Sequence, residues 1–122
     1  MNPVFLDHFQ HPRHVGRLAA PDAEVSLENP VCGDQLTLGL RVQAGAVAEV
    51  AFQVRGCSGA IAAASALCEL VQGRALAAVA EIDRDAVDQA LGGLPALKRH
   101  GADLAAAGLR QALAALDREE TS

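Results

Sequence analysis

The amino-acid sequence predicts an α+β fold in which helices pack on one face of a three-stranded antiparallel sheet. Apolar and polar residues alternate on both sides of Ala44-Gly45, and the hydrophobic period becomes helical after Ser58. Because the strands come first and the helices follow, the helices are expected to lie together on the sheet. A length of 122 residues suits one domain spanning 1–122.

Helices are predicted at both ends of the chain, with the strands between them. Segment 2–16 indicates one or two helical turns and then an extended loop, and 24–27 indicates a short strand stopped by Asn29-Pro30. A helix is predicted over 58–72, where Gly73 ends it. Further helices are expected over 75–80, over 83–90 with Asp83 as the cap, and from about Pro95 to about Asp117.

The hairpin over 35–55 is the clearest local pattern. Alternate residues form one apolar face, namely Leu36, Leu38, Leu40 and Val42 on one strand and Ala48, Val50, Phe52 and Val54 on the other. A period of two on both sides of a glycine turn predicts a half-buried antiparallel pair. Two registers fit this pattern: Val42 faces either Ala46 or Ala48, and the second choice also sets Arg41 against Glu49.

Charge and composition exclude several classes of function. Ten Lys and Arg against fifteen Asp and Glu give a net charge of −5, which argues against a surface for nucleic acid or membrane. No apolar run is long enough to span a membrane, and residues 1–8 lack the basic start of a signal peptide, so a cytoplasmic location is expected. Three cysteines then favour metal binding, thiol chemistry or burial over disulfides.

Cys32, Asp34 and Cys57 are predicted to converge at the open end of the hairpin. Either register places Cys32 within one position of Cys57, and facing Cα atoms lie about 4.5–5.5 Å apart, so both sulfurs can reach one metal. Asp34 follows Cys32 by two residues and shares its face. Cys57 also opens a helix, whose N–H groups and dipole favour a thiolate. The alternative is a pair of small buried cysteines.

His100 is the next candidate ligand. It lies on the inward stripe of the last helix with Leu97 and Leu104. A lone histidine there is more often an orienting or buried polar group, but together with the two thiolates and the carboxylate it would complete a four-donor zinc site. Cys68 lies about 16 Å along the helix from Cys57 and is interpreted as a buried structural thiol. The remaining histidines are expected on the surface: His8, His11 and His14.

Several segments of the chain resemble, in the same order, the successive signatures of the NifU/IscU-type iron–sulfur cluster scaffolds, the group that includes SufU. The segments are HPRHVGRL at 11–18, NPVCGD at 29–34, RGCSGAIAAAS at 55–65, ELVQGR at 69–74 and LPALKRH at 94–100. Together they cover nearly the whole chain. The resemblance implies the NifU/IscU-like α+β fold.

The resemblance also implies a function. Such scaffolds accept sulfur from a cysteine desulfurase and iron from a donor, assemble a [2Fe–2S] cluster on three cysteines with help from an aspartate, and pass it to apo iron–sulfur acceptor proteins. Many also bind zinc at the same place. Cys32 and Cys57 match the first two cysteines, Asp34 matches the aspartate, and His100 matches the histidine before the third cysteine.

The chain departs from the family pattern in two places. Gly101 occupies the position of the third cysteine, so the missing side chain is expected to open space beside the site. Gly101→Cys is therefore expected to strengthen cluster binding. LPALK resembles the LPPVK segment that some members present to a chaperone, with Ala96-Leu97 in place of Pro-Val.

Three functions remain open from the sequence. The chain is a scaffold or carrier for iron, a [2Fe–2S] cluster or zinc; or a zinc-bound sulfur-transfer partner that accepts persulfide from a desulfurase; or a degenerate, metal-stabilised interaction module. No acid–base pair, phosphate loop or nucleophile–histidine–carboxylate order indicates an independent enzyme.

Overall fold

The computed structural model describes residues 2–30 and 33–120, without the side chains of Leu97 and of residues 117–120. The elements in chain order are α1 Pro3–Gln10, β1 Ala23–Glu28, β2 Gln35–Gln43, β3 Ala46–Arg55, α2 Ser58–Val71, α3 Leu76–Val79, α4 Arg84–Ala90, a 3₁₀ turn at Ala96–Lys98, and α5 Arg99–Glu120. No helix among the described residues is long and apolar enough to cross a membrane.

The three strands form one antiparallel sheet in the order β1-β2-β3. Helix α2 packs on β3, α5 packs on β1 and β2, and the two helices pack against each other. The predicted α+β architecture is confirmed. Its core is built from the apolar face of the hairpin and from the alanine-rich face of α2, with Phe5 and Phe52 as its buried aromatic residues.

The hairpin register combines a short turn with a β-bulge. Ala44 and Gly45 both have positive φ angles and form a two-residue turn that pairs Gln43 with Ala46. A register shift between Arg41 and Val42 then restores the alternation along the rest of the ladder. The pairing of Arg41 with Glu49 is confirmed, but both predicted partners of Val42 are wrong because the bulge sets Val42 against Val47.

Asp22 stabilises the backbone at this bulge. Its Oδ2 accepts the N–H of Val42 at 2.6 Å, and its own N–H donates to the carbonyl of Leu40 at 2.8 Å. A bulge displaces a backbone donor from the regular ladder, and a buried donor without an acceptor is costly. The carboxylate of Asp22 supplies the acceptor for Val42.

The helix ends follow from local chemistry. Helix α2 ends at Val71, one residue before the predicted end, and Gly73 takes the left-handed conformation just beyond it with φ of 79°. The carboxylate of Asp83 caps α4 by accepting the N–H of Ala86 at 2.9 Å. Both of these sequence predictions are confirmed.

The expected surface position of His8 is wrong. His8 is 7% exposed, because α1 packs its Phe5 and His8 side against α2. Its Nδ1 lies 2.8 Å from the Oγ of Ser65, which also accepts the backbone N–H of Arg13 at 2.9 Å. Since the Ser65 oxygen already accepts from Arg13, its hydroxyl hydrogen can donate to a neutral His8. His11 is exposed, as predicted.

Candidate metal site

Asp34 and Cys57 lie together where the hairpin ends and α2 begins. Oδ1 of Asp34 accepts the backbone N–H of Cys57 at 3.1 Å, and Oδ2 lies 3.3 Å from the Cys57 sulfur. Asp34 is 4% exposed, whereas Cys57 is exposed. Cys57 is also the N-cap residue of α2, so its sulfur projects beside the positive end of the helix dipole. This confirms the predicted convergence of the carboxylate and one thiol.

Gly56 allows the carboxylate to approach this closely. A Cβ built on Gly56 would lie 2.6 Å from the Cγ and 2.8 Å from the Cβ of Asp34. Real side chains do not tolerate such distances, so the Asp34 side chain occupies the volume that any larger residue at position 56 would need.

The loop that carries Cys32 is closed at its base by backbone hydrogen bonds. The N–H of Asn29 donates to the carbonyl of Asp34 at 2.8 Å, and the N–H of Gly33 donates to the carbonyl of Asn29 at 2.7 Å. Gly33 has φ of 73°, a conformation that favours glycine. Cys32 itself lies outside the described residues, so its predicted position opposite Cys57 stays a prediction.

His100 lies beside the base of this loop. It is half-buried near the start of α5 and lines a groove of about 280 Å³ with Asn29 and Pro30. The groove also contains Asp103, one turn further along α5. The predicted inward position of His100 is therefore met in part, because the side chain reaches the loop region but keeps access to solvent.

The described residues around Asp34 and Cys57 supply fewer donor side chains than a metal site needs. Among residues 2–30 and 33–120, no three His, Cys, Asp or Glu side chains lie close enough together to hold an ion. A thiolate and a carboxylate nevertheless form a mixed donor pair suited to zinc or iron. Cys32, the predicted third ligand, would have to complete this set from the loop.

Cys68 belongs to the core and not to this site. It is 0% exposed, and burial raises the pKa of its thiol far above the ordinary range. Thiolate is the form that binds metals and reacts with electrophiles. The interpretation of Cys68 as a structural thiol is confirmed.

The space expected beside Gly101 is absent, and this expectation is wrong. A Cβ at Gly101 would lie 2.5 Å from the carbonyl carbon of Gly59 and 2.7 Å from the nitrogen of Ala60, and closer still to the Gly59 oxygen. The start of α5 therefore rests directly on the backbone of the first turn of α2. A cysteine at position 101 does not fit unless these helices move apart.

Sequence reasoning also missed the role of Lys98. Its ammonium donates to the Oγ of Ser58 at 2.7 Å and lies 5.8 Å from the centre of the Phe5 ring. Lys98 thereby ties the 3₁₀ turn to α1 and to the residue that follows Cys57. The LPALK segment contains this lysine, but the position of Lys98 in the sequence does not predict a contact with Ser58.

Comparisons with known proteins agree with this architecture. The family model of the NifU-like N terminal domain matches residues 1–122. The iron–sulfur cluster assembly scaffold protein IscU 1 of Archaeoglobus fulgidus is 43% identical over 108 residues, which cover 88% of this chain and 71% of the relative. The nitrogen fixation protein NifU of Cereibacter sphaeroides is 43% identical over 112 residues, which cover 92% of this chain and 46% of that longer protein.

A solved structure shows the same fold. The N-terminal part of a nitrogen-fixing NifU-like protein from Brucella abortus superposes with a TM-score of 0.81. The match covers 97% of this chain and 94% of that chain at 20% sequence identity.

Proposed function

Because the chain belongs to the NifU-like N-terminal domain family, we propose that it is a scaffold on which iron–sulfur clusters are assembled and from which they are passed on. Its similarity to the scaffold protein of Archaeoglobus fulgidus, with 43% identity over 88% of this chain, supports this function. We take the whole span 1–122 as one scaffold domain. The scaffold carries its cargo and does not itself catalyse a reaction.

The observation that carries the proposal is the contact between Asp34 and Cys57. An exposed thiol held 3.3 Å from a buried carboxylate gives two donors of different softness on one surface. The sulfur suits iron–sulfide or zinc, and the carboxylate oxygen suits iron before sulfide arrives. The exposure of Cys57 suits a cargo that has to be delivered to another protein.

We propose Cys32, Asp34 and Cys57 as the ligands, with His100 as the fourth donor. The cargo is iron or a [2Fe–2S] cluster, and zinc occupies the same place when iron and sulfide are absent. The support for His100 is the groove that it lines with Asn29 and Pro30; since Asp34, Cys57 and His100 do not form a close group in this structure, His100 would have to move towards the other two to bind the same ion. With tetrahedral geometry, four donors complete a zinc site.

The partners follow from this cargo. A cysteine desulfurase supplies the sulfur, and apo iron–sulfur proteins receive the finished cluster in the cytoplasm. A chaperone that recognises LPPVK-like segments is a weaker candidate, since Lys98 of the LPALK segment is engaged with Ser58. The net charge of −5 argues against nucleic acid and membrane as partners.

The exposure of Cys57 also favours a second candidate, a zinc-bound sulfur-transfer partner. In this function the Cys57 thiolate attacks the outer sulfur of a desulfurase persulfide. A new S–S bond forms on Cys57, and the desulfurase cysteine leaves as a thiolate. The two functions share the metal site but differ in what the protein delivers, which is a cluster or a single sulfur.

Anaerobic reconstitution separates these functions. The purified chain is supplied with ferrous iron, cysteine, a cysteine desulfurase and dithiothreitol, which reduces the persulfide sulfur to sulfide. A parallel sample receives zinc, cysteine and the desulfurase without dithiothreitol. A scaffold develops the visible absorption of a cluster with matching iron and sulfide contents, and an apo ferredoxin then acquires that cluster. A sulfur-transfer partner binds zinc and gains persulfide mass on Cys57 without cluster absorption. A chain that binds metal but does neither is an interaction module, which contradicts the scaffold proposal.

A further inference from the structure

The two edges of the sheet are protected differently, and β3 is the covered edge. The N–H of Phe52 donates to the carbonyl of His14 at 2.9 Å, and the carbonyl of Phe52 accepts the N–H of Gly16 at 2.8 Å. Near the other end of β3, the N–H of Val47 donates to the carbonyl of Arg74 at 2.9 Å. Neighbouring segments therefore occupy outer backbone groups of β3 at two places, which hinders its pairing with another strand.

Strand β1 forms the other edge, and its outer backbone groups are open. Because the backbone groups of Phe52 point away from β2, its partner Leu38 directs its own groups towards Val25 of β1. The residues that alternate with Val25 direct their N–H and carbonyl groups outward, namely Glu24, Ser26 and Glu28. Within residues 2–30 and 33–120, no backbone group of another segment bonds to these outward groups. An added strand could therefore pair with β1.

The two faces of this edge differ in chemistry. Val25 and Leu27 lie on the helix side of the sheet and are only partly buried, because no strand lies beyond them. Glu24, Ser26 and Glu28 lie on the opposite face. An added strand would have to present apolar side chains beside the first pair and polar side chains beside the second set.

A groove beside β1 has room for the apolar side chains of such a strand. It has a volume of about 280 Å³ and is lined by Leu27 of β1 and by Leu104 and Ala107 of α5. Its other described lining residues also belong to β1, to the segment that follows β1, or to α5. The groove therefore opens at the outer side of β1, between the strand and the helix.

The charges along β1 indicate which kind of strand fits. Glu24 pairs with Arg17, whereas Glu28 has no cationic partner in the part of the chain that the structure describes. A second copy of β1 paired antiparallel about Ser26 would set Glu24 directly opposite Glu28, and like charges in that arrangement are destabilising. Basic residues at the same positions would form opposite-charge pairs, and the net charge of −5 also favours a basic partner.

We propose that the outer edge of β1 is a docking site for an extended segment of a partner protein in which basic and apolar residues alternate. The backbone of this segment pairs with Glu24, Ser26 and Glu28. Its basic side chains lie opposite the two glutamates, and its apolar side chains enter the groove beside Leu27. In this mode of recognition the backbone bonds give affinity and the alternate side chains give specificity. The docking site is additional to the scaffold function and does not depend on which residues bind the metal.

The test is an NMR titration of the isotope-labelled full chain with the synthetic peptide acetyl-KVTVK-amide, whose threonine is designed to face Ser26. The amide signals of Glu24, Ser26 and Glu28 are expected to shift in a saturable manner. Acetyl-EVTVE-amide keeps the alternation but reverses the charges, and should bind at least about threefold more weakly. Acetyl-KVPVK-amide lacks the N–H that would donate to the carbonyl of Ser26, and should also bind at least about threefold more weakly.

Three variants of the chain locate the binding site. Ser26→Pro removes an outward N–H without removing a bond to β2, and should weaken binding of the KVTVK peptide by at least about threefold. Glu28→Lys reverses one charge at the edge and should weaken binding by at least about threefold. It carries the test if Ser26→Pro does not fold. Glu81→Lys makes the same change in net charge on the exposed turn between α3 and α4, and should keep the wild-type affinity.

Several results would overturn the proposal. Equal binding of the three peptides, or equal affinities in Glu28→Lys and Glu81→Lys, would mean that a basic peptide is merely attracted to an acidic chain. A dimer of the chain that forms without peptide and dissociates in Ser26→Pro would assign the edge to a second copy. Absence of binding by the KVTVK peptide, or signal shifts confined to residues outside 23–30, would show that β1 does not accept such a strand.

Discussion

Asp34 and Cys57 are joined twice, since one carboxylate oxygen accepts the N–H of Cys57 at 3.1 Å and the other lies 3.3 Å from its sulfur. The first contact is structural because it connects the start of β2 to the cap of α2. At the second contact, between Oδ2 and the sulfur, a bound metal would replace the proton of the Cys57 thiol, because metals bind cysteine as the thiolate. One side chain therefore serves both the fold and the proposed site.

Two substitutions of Asp34 should separate these roles. Asp34→Asn removes the charge but keeps the size of the side chain, so zinc affinity should fall by at least about tenfold while the apo fold is retained. Asp34→Ala also removes the acceptor of the Cys57 N–H, and should lower the free energy of unfolding by about 1–3 kcal/mol. Zinc competition and urea unfolding measure the two effects. Wild-type zinc affinity in Asp34→Asn would exclude the carboxylate as a ligand.

His100→Ala should weaken zinc binding by about tenfold or more if the imidazole is the fourth donor. Asp103→Asn is the matched control, because Asp103 lines the same groove one turn away and pairs with Arg84 at the surface. Equal affinities in the wild type and His100→Ala would show that His100 is a packing residue, and that the fourth position is taken by solvent.

The burial of His8 should make stability depend on pH. Burial lowers the pKa of His8 from its ordinary value of 6.5, more than the nearby charge of Glu69 raises it. Below about pH 6.5 the unfolded chain therefore binds a proton that the folded chain does not, and the free energy of unfolding falls as the pH decreases towards the folded-state pKa. Above this range the contribution of neutral His8 is complete.

Urea unfolding between about pH 7.5 and pH 5.5 measures this effect. His8→Asn keeps a polar group near Ser65 but cannot titrate, so its stability should decrease less over this interval than that of the wild type. Parallel curves for the two proteins would show that His8 is protonated equally in the folded and unfolded chains.

Asp22→Ala should destabilise the hairpin, because the N–H of Val42 loses the acceptor that it has at 2.6 Å. The expected decrease in the free energy of unfolding is about 1–3 kcal/mol. Asp22→Asn retains an oxygen acceptor and should lose less. Equal losses in the two variants would mean that the carboxylate does not stabilise the bulge through this hydrogen bond.

Much of the fold could be read from the sequence because the signals were local. Alternation identified β2 and β3, Asp83 identified a helix start, and Gly73 identified a helix end. The approach of Asp34 to Cys57 also followed, since the residues nearest the open end of a hairpin must lie close together. These arguments needed only spacing along one element or between adjacent strands.

The remaining features depend on contacts between distant segments. The burial of His8 requires Ser65, which lies 57 residues away in sequence, and α1 is too short to show which face is apolar. The sequence shows only that Gly101 has no side chain. The structure shows that the missing Cβ leaves room for the backbone of Gly59. The two-residue turn and the apolar alternation require pairings of β2 with β3 that differ by one residue. The bulge at Val42 accommodates this difference.

Zinc stoichiometry after anaerobic dialysis tests the central claim most directly, with Cys57→Ala compared against Cys68→Ala. Both variants remove one sulfur, but Cys57 is exposed beside Asp34 and Cys68 is buried in the core. The wild type and Cys68→Ala are expected to retain about one zinc per chain, whereas Cys57→Ala retains none, because a tetrahedral site that loses a thiolate is incomplete. Equal zinc content in both variants, at any level, would contradict the assignment of Cys57 as a ligand.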